Sequence, residues 1–249
     1  MAVFAAAGEG PMDQFKIKKI FDLALGGYDI SFTNSTLWKL IAVGSMVGFL
    51  IYAMRGASVI PGRLQSVAEL FYNFIYDMVR DVCGEEGKKF FPLIFTIFVF
   101  ILAANLLGLL PGSFTVTSHI AVTFALALFV FLLVTVVGFY VNGIGYLKMF
   151  VPSGVPLPLL PLITAIEVLS YFMRPISLSV RLFANMIAGH ILLKVFAGFV
   201  VGLGVVGGWA PFLFMVGFTG FEVLVAALQA FIFALLTCIY LNDALNMHH

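Results

Sequence analysis

Two apolar stretches near the C-terminus, residues 161–203 and 211–242, constrain this chain more than anything else in it. A helix rises about 1.5 Å per residue, so roughly 32 helical residues extend about 48 Å, against a hydrocarbon layer roughly 30 Å thick. The earlier stretch is longer still. Segments like these either break inside a membrane, with Pro175 the candidate kink, or run steeply tilted. Polar residues recur along both, which favours a tilted pair facing something other than lipid. A sequence that is 62 % hydrophobic and 10 % charged agrees. The expected fold class is an all-α integral membrane protein.

The formal net charge is +1, which argues against nucleic acid as a partner. Cys83 and Cys238 stand apart, without a C-x-x-C or His cluster, so neither a disulfide framework nor a metal site is indicated. No Ser-His-Asp grouping, phosphate-binding glycine loop or zinc motif appears, so no cofactor and no soluble catalytic machinery is expected. The opening "MAVFAAAGEG" has no basic leader and too short an apolar core for a signal peptide.

The rest of the chain divides into shorter elements of a single membrane domain. Within a tail over 1–35, "DQFKIKKIFDLAL" puts Ile17, Ile20, Phe21 and Ala24 on one helical face and predicts a short interfacial helix. Residues 36–54 are long enough to span, and Arg55, Gly56, Pro61 and Gly62 stop them. Over 62–83, Leu64, Val67, Phe71, Phe74, Ile75, Met78 and Val82 follow helical spacing while the charges keep apart. That pattern predicts an amphipathic helix on the membrane or against a partner. Residues 90–110 and 119–142 are two further spans, separated by a Pro-Gly turn at Pro111, and the prolines from Pro152 to Pro161 mark a loop. Five embedded helices put the termini on opposite sides. Arg55, Arg63, Arg80, Lys88 and Lys89 outnumber the lysines of the N-terminal tail, which predicts the N-terminus outside and the C-terminus inside.

Ionisable residues gather in the two long helices: Glu167, Arg174, Arg181, His190, Lys194 and Glu222, with Asn185 and Gln229 beside them. A guanidinium at the centre of a bilayer costs roughly 2.5–3.5 kcal/mol on insertion scales, so such residues mark ion or substrate paths more often than mere packing. Ser177, Arg181 and Asn185 repeat every four residues and share a face, near which Glu167 and Arg174 also fall. Glu222 and Gln229 share a face of the last helix, with the small Ala226 between them. His190 is nine residues past Arg181, about half a turn away around the axis, so the two address different neighbours. Arg stays protonated at any biological pH and cannot itself relay a proton. An imidazole can, and so can a carboxylate whose surroundings favour its protonated form. A fixed cation beside such a pair attracts a mobile carboxylate. Lys194 is expected to snorkel to the interface, and Arg174 to snorkel or to pair with Glu167. For His119, at the start of a span, a helix-end structural role outweighs proton access.

"SLSVRLFANM" resembles the subunit a family of the rotary F-type ATP synthase membrane sector, with small residues at Ser177 and Ser179, then Arg181, Leu182, Ala184 and Asn185. "NLLGLLPG", "EVLSYFMRPISLSVRLFANMIAGH" and "FEVLVAALQAFIFALLTCIYL" extend the resemblance over nearly the whole chain. It implies a stator subunit beside a c-ring of hairpin subunits that each carry a membrane-buried carboxylate. Peripheral-stalk b-type subunits and the remainder of the complex are the other implied partners. By resemblance, Arg181 is the essential arginine facing the ring and Gln229 lies across from it. His190 and Glu222 match the polar pair of the outer half-channel, with Asn185 nearby, and Glu167 matches an acidic position of the inner one. His119 and Ser177 are weaker candidates. Many bacterial relatives exchange the residue types found here at His190 and Glu222. The order in this chain resembles mitochondrial and alphaproteobacterial members, which implies a bacterial inner membrane or, alternatively, a mitochondrial one. Some relatives carry an acid where this chain has Gly108.

Three other classes fit less well. A self-contained antiporter usually shows internal repeats with broken helices, which are not found. A voltage sensor needs a denser arginine ladder. A purely structural anchor would conduct no protons sensitive to His190, Glu222 and Arg181.

Overall fold

A computed structural model describes residues 19–21, 24–25, 28–29, 31–110, 113–151, 156 and 158–246. Among these residues are six α-helices: α1 (Asn34–Ala53), α2 (Arg63–Gly87), α3 (Phe91–Gly108), α4 (Ile120–Asn142), α5 (Leu160–Gly207) and α6 (Trp209–Leu245). Among the described residues five segments are long and apolar enough to cross a membrane, the second of them continuing from α2 into α3. The chain is a multi-pass membrane protein.

The N-terminal expectation is corrected. Instead of an interfacial helix, β1 (Lys19–Phe21) pairs antiparallel with β4 (Phe32–Thr33), and β2 (Ala24–Leu25) with β3 (Tyr28–Asp29). Gly26 and Gly27 lie between β2 and β3 in sequence, the residue type that tight hairpin connections favour. A few apolar residues at helical spacing are weak evidence for a helix that would have only about three turns and no second packing face. The start of the proposed helix, the Pro-Gly turn at Pro111 and most of the Pro152–Pro161 loop lie outside the described residues.

Regular helical dihedrals in α2 are interrupted at Gly84, whose φ is 65°. α5 keeps helical dihedrals through Pro175, and its one departure is Gly204 at φ 62°. A proline costs its own N–H bond and a clash one turn back, yet a membrane helix tolerates it where neighbours satisfy the freed carbonyl. Pro175, the candidate kink of the less favoured alternative, thus shows no departure from helical dihedrals. The break between the long helices falls at Gly204 and Gly208, whose N–H donates to the Gly204 carbonyl at 2.9 Å.

The chain forms two compact units. One takes in the residues up to Ile51, Val99–Ile120 and Leu182–Ala230; the other Tyr52–Phe98, Ala121–Arg181 and Phe231 onward. In the first, Ile101, Ala104, Leu182, Met186, Ala226 and Ala230 are buried. In the second, the buried side chains of α4 fall at Thr123, Ala127, Val130, Val134 and Gly138, one helical stripe of three- and four-residue steps. Gly138 admits Tyr146 there, since a Cβ at 138 would collide with the Tyr146 ring. Apolar side chains also remain exposed along every span, among them Leu40, Ile51, Phe129, Leu162, Leu169 and Leu224. Lipid is as apolar as leucine, so such surfaces carry no cost in a bilayer.

Candidate functional site

Within the first unit, the sequence of α5 after Leu182 and of α6 up to Ala230 brings four of the expected residues into two groups. Asn185 Nδ2 donates to Gln229 Oε1 at 2.8 Å, which links α5 to α6. Gln229 is only 2 % exposed, and its Nε2 makes no hydrogen bond within the described structure. One turn further along α5, the Glu222 carboxyl group lies over Gly189, the residue before His190. Glu222 is 3 % exposed, and neither carboxylate oxygen has a hydrogen-bond partner among the described residues. His190 is also buried, with Nε2 2.9 Å from Thr115 Oγ1. His119 stacks on Phe114, ring centroids 4.8 Å apart, immediately before α4 begins.

Several functional-looking residues were missed by the sequence reading. Asn105 of α3 is fully buried; its Nδ2 donates to the Ala226 carbonyl at 3.2 Å, and its Oδ1 accepts from Thr117 at 2.8 Å. Thr115 donates to the Gly108 carbonyl at 3.3 Å, and Ser118 to the Thr115 carbonyl at 2.7 Å. An Asn inside "ANLLGLL" and the polar run "TVTSH" were the available signals. Threonine is common enough in membrane helices that hydroxyls alone do not stand out.

Ser177, Arg181 and Glu167 belong to the second unit. Arg181 and Ser177 are exposed, whereas Glu167 is half-buried. The pattern along α5 is regular: Ser177, Arg181, Ala184 and Ala188 are exposed, whereas Leu178, Leu182, Met186 and His190 are buried. Steps of three and four residues make each set a continuous helical stripe. Arg181 thus stands on the surface stripe and His190 on the packed one, as their nine-residue separation predicts. Arg174 departs from expectation. It pairs with Asp243 at 3.1 Å rather than with Glu167, and its guanidinium lies over the rings of Tyr240 and Tyr171. Asp243 sits near the end of α6.

Among the described residues no group of three or more His, Cys, Asp or Glu side chains could hold a metal. Within the first unit the chemistry on offer is that of a buried imidazole and a buried carboxylate; in the second, Arg181 presents an exposed guanidinium.

The family model described as ATP synthase A chain matches residues 36–242. The chain belongs to the ATP synthase A chain family. It is 54 % identical over 240 residues to ATP synthase subunit a of Pelagibacter ubique, covering 96 % of this chain and 98 % of that one. It is 55 % identical over 238 residues to subunit a of Rhodospirillum rubrum, covering 96 % and 99 %. Subunit a of Parvibaculum lavamentivorans is 55 % identical over 245 residues, covering 96 % and 94 %. Family membership runs through every element from α1 to α6, including both polar groups of the first unit.

Proposed function

We propose that the chain works as the proton-translocating stator subunit of an F-type ATP synthase, with Arg181 as the fixed charge that couples proton flow to rotation. It is a non-catalytic membrane subunit, with ATP made elsewhere in the complex. The observation that carries the site assignment is Arg181 on an exposed stripe with Ser177, Ala184 and Ala188. Small residues let another helix approach closely, and a permanent cation on such a surface calls for an anionic partner; among the described residues no ion pair supplies one to Arg181. A c-ring of hairpin subunits bearing membrane-buried carboxylates meets that need.

On this reading protons enter from outside by way of Glu222 and His190 and load a ring carboxylate, which then turns through lipid. The carboxylate returns to an inner path near Glu167 and gives up its proton. Arg181 separates the two paths: it favours the ionised ring carboxylate and stops protons from passing straight through. Asn185 and Gln229 belong to the outer path by resemblance to the family, while His119 and Ser177 have lesser, supporting roles. Moving one charge across the membrane yields about 2.3 kcal/mol per 100 mV, so several protons serve each ATP. The seat is a bacterial inner membrane, N-terminus outside and C-terminus inside, with peripheral-stalk b-type subunits holding the chain still.

The test is Arg181→Ala in the whole complex in membrane vesicles. Proton-driven synthesis should be abolished and passive proton leak should appear. Normal synthesis in that variant refutes the assignment.

A further inference from the structure

Thr115 stands between an imidazole nitrogen and a backbone carbonyl. Its Oγ1 is 2.9 Å from His190 Nε2 and 3.3 Å from the Gly108 carbonyl, and the residue is 3 % exposed. A threonine hydroxyl has one proton to give and two lone pairs to offer. When Nε2 carries a proton, Oγ1 accepts it as a hydrogen bond and sends its own proton to the Gly108 carbonyl. When Nε2 is bare, rotation about the Cβ–Oγ1 bond turns the hydroxyl proton to the imidazole. The carbonyl then loses one partner, while no heavy atom moves. An amide or a carboxylate in this place would satisfy one state of the ring and oppose the other. Gly108 makes the arrangement possible, because a Cβ there would meet Thr115 Cγ2 at 2.8 Å.

We propose that Thr115 is a positioning residue for His190, holding the imidazole through Nε2 in both of its protonation states, with the Gly108 carbonyl as the alternative seat for the hydroxyl proton. The inference rests on the proton-carrying role proposed above for His190.

The experiment uses the complete ATP synthase in inverted membrane vesicles, reading proton-driven synthesis, ATP-driven acidification and the amount of assembled complex. Thr115→Val keeps the shape and removes the hydroxyl. Both rates per assembled complex should fall about three- to tenfold, the range one hydrogen bond is worth. Thr115→Ser keeps the hydroxyl and should restore most of the loss. Full rates in Thr115→Val, or a Thr115→Ser complex as slow as Thr115→Val, overturn the proposal. Should Thr115→Val fail to assemble, Gly108→Ala decides. It should slow the complex by crowding Thr115 Cγ2, and Gly108→Ala with Thr115→Ser, which lacks that methyl, should recover. No recovery overturns the proposal. His190→Ala separates the two readings: unimpaired synthesis there defeats the relay itself, whereas lost synthesis alongside an unimpaired Thr115→Val defeats only the role of Thr115.

Discussion

Asn185 and Gln229 hold α5 to α6 through a 2.8 Å hydrogen bond from the Asn185 amide to the Gln229 carbonyl oxygen. In a membrane, apolar packing gives little preference for one helix register over another, so a polar pair of this kind helps to set it. Such bonds are worth about 0.6 kcal/mol on average, up to roughly 1.7, since an unfolded helix in lipid also finds partners. Asn185→Ala and Gln229→Ala should therefore couple by about that much in a double-mutant cycle read by thermal dissociation of the purified complex. Strict additivity of the two substitutions would remove the bond from any account of how these helices register.

Glu222 and Gly189 make a second pair across the same helices. The Glu222 carboxyl group occupies the space that a side chain at 189 would fill, with Cδ 2.8 Å from an ideal Cβ position. Overpacking in a tight interior costs about 1–3 kcal/mol. Gly189→Ala should displace the carboxylate and lower proton-driven synthesis by at least tenfold while the complex still assembles. Adding Glu222→Asp, which draws the carboxyl group back by one methylene, should recover part of that rate. Equal rates in the single and double variants would mean that Gly189 does something other than make room for Glu222.

Much of this site can be read from the sequence because charge is so costly in lipid: Arg181, His190 and Glu222 stand out from an apolar background. Helical periodicity then put Arg181 and His190 on opposite sides, and the burial along α5 follows that division. The hydroxyl and amide partners were harder to see. Thr115 and Asn105 reach the site from the end of α3 and its connection, at sequence separations of 75 and 121 from their partners. No periodicity within one helix predicts such a contact. The N-terminal strands were missed for a different reason: short segments are decided by pairing partners rather than by their own spacing.

Arg174 and Asp243 pair at 3.1 Å with side chains 21 % and 40 % exposed. At that exposure the ion pair contributes about 0.2–1 kcal/mol. Arg174 has a further hold, since its guanidinium lies 4.8 Å from the Tyr240 ring centre and 5.5 Å from that of Tyr171. Each such contact adds about 0.5–1 kcal/mol. Arg174→Ala should thus lower the thermal stability of the assembled membrane sector more than Asp243→Asn does, with Arg174→Lys in between. The reverse order would assign the pair's value to charge alone. Neither change should produce the passive leak expected of Arg181→Ala.

The turn between α5 and α6 depends on glycine for two separable reasons. Gly204 adopts φ 62° and ψ −159°, a conformation nearly closed to residues with a Cβ, although nothing lies within 4 Å of where that atom would be. Gly208 has no unusual φ, but a Cβ there would meet the Gly204 and Val200 carbonyl oxygens at 2.5 and 2.7 Å. Gly204→Ala should therefore cost about 1–3 kcal/mol through the backbone alone. Gly208→Ala should cost at least as much, because both obstructing atoms are backbone and cannot swing aside. Gly202 is a control: it is helical, with open space around its Cβ position, and Gly202→Ala should be neutral or slightly stabilising. Thermal dissociation of the three variants, with the amount of complex in membranes as a second readout, checks the order. A Gly204→Ala complex as stable as Gly202→Ala would show that the two long helices can be joined without a left-handed residue at 204.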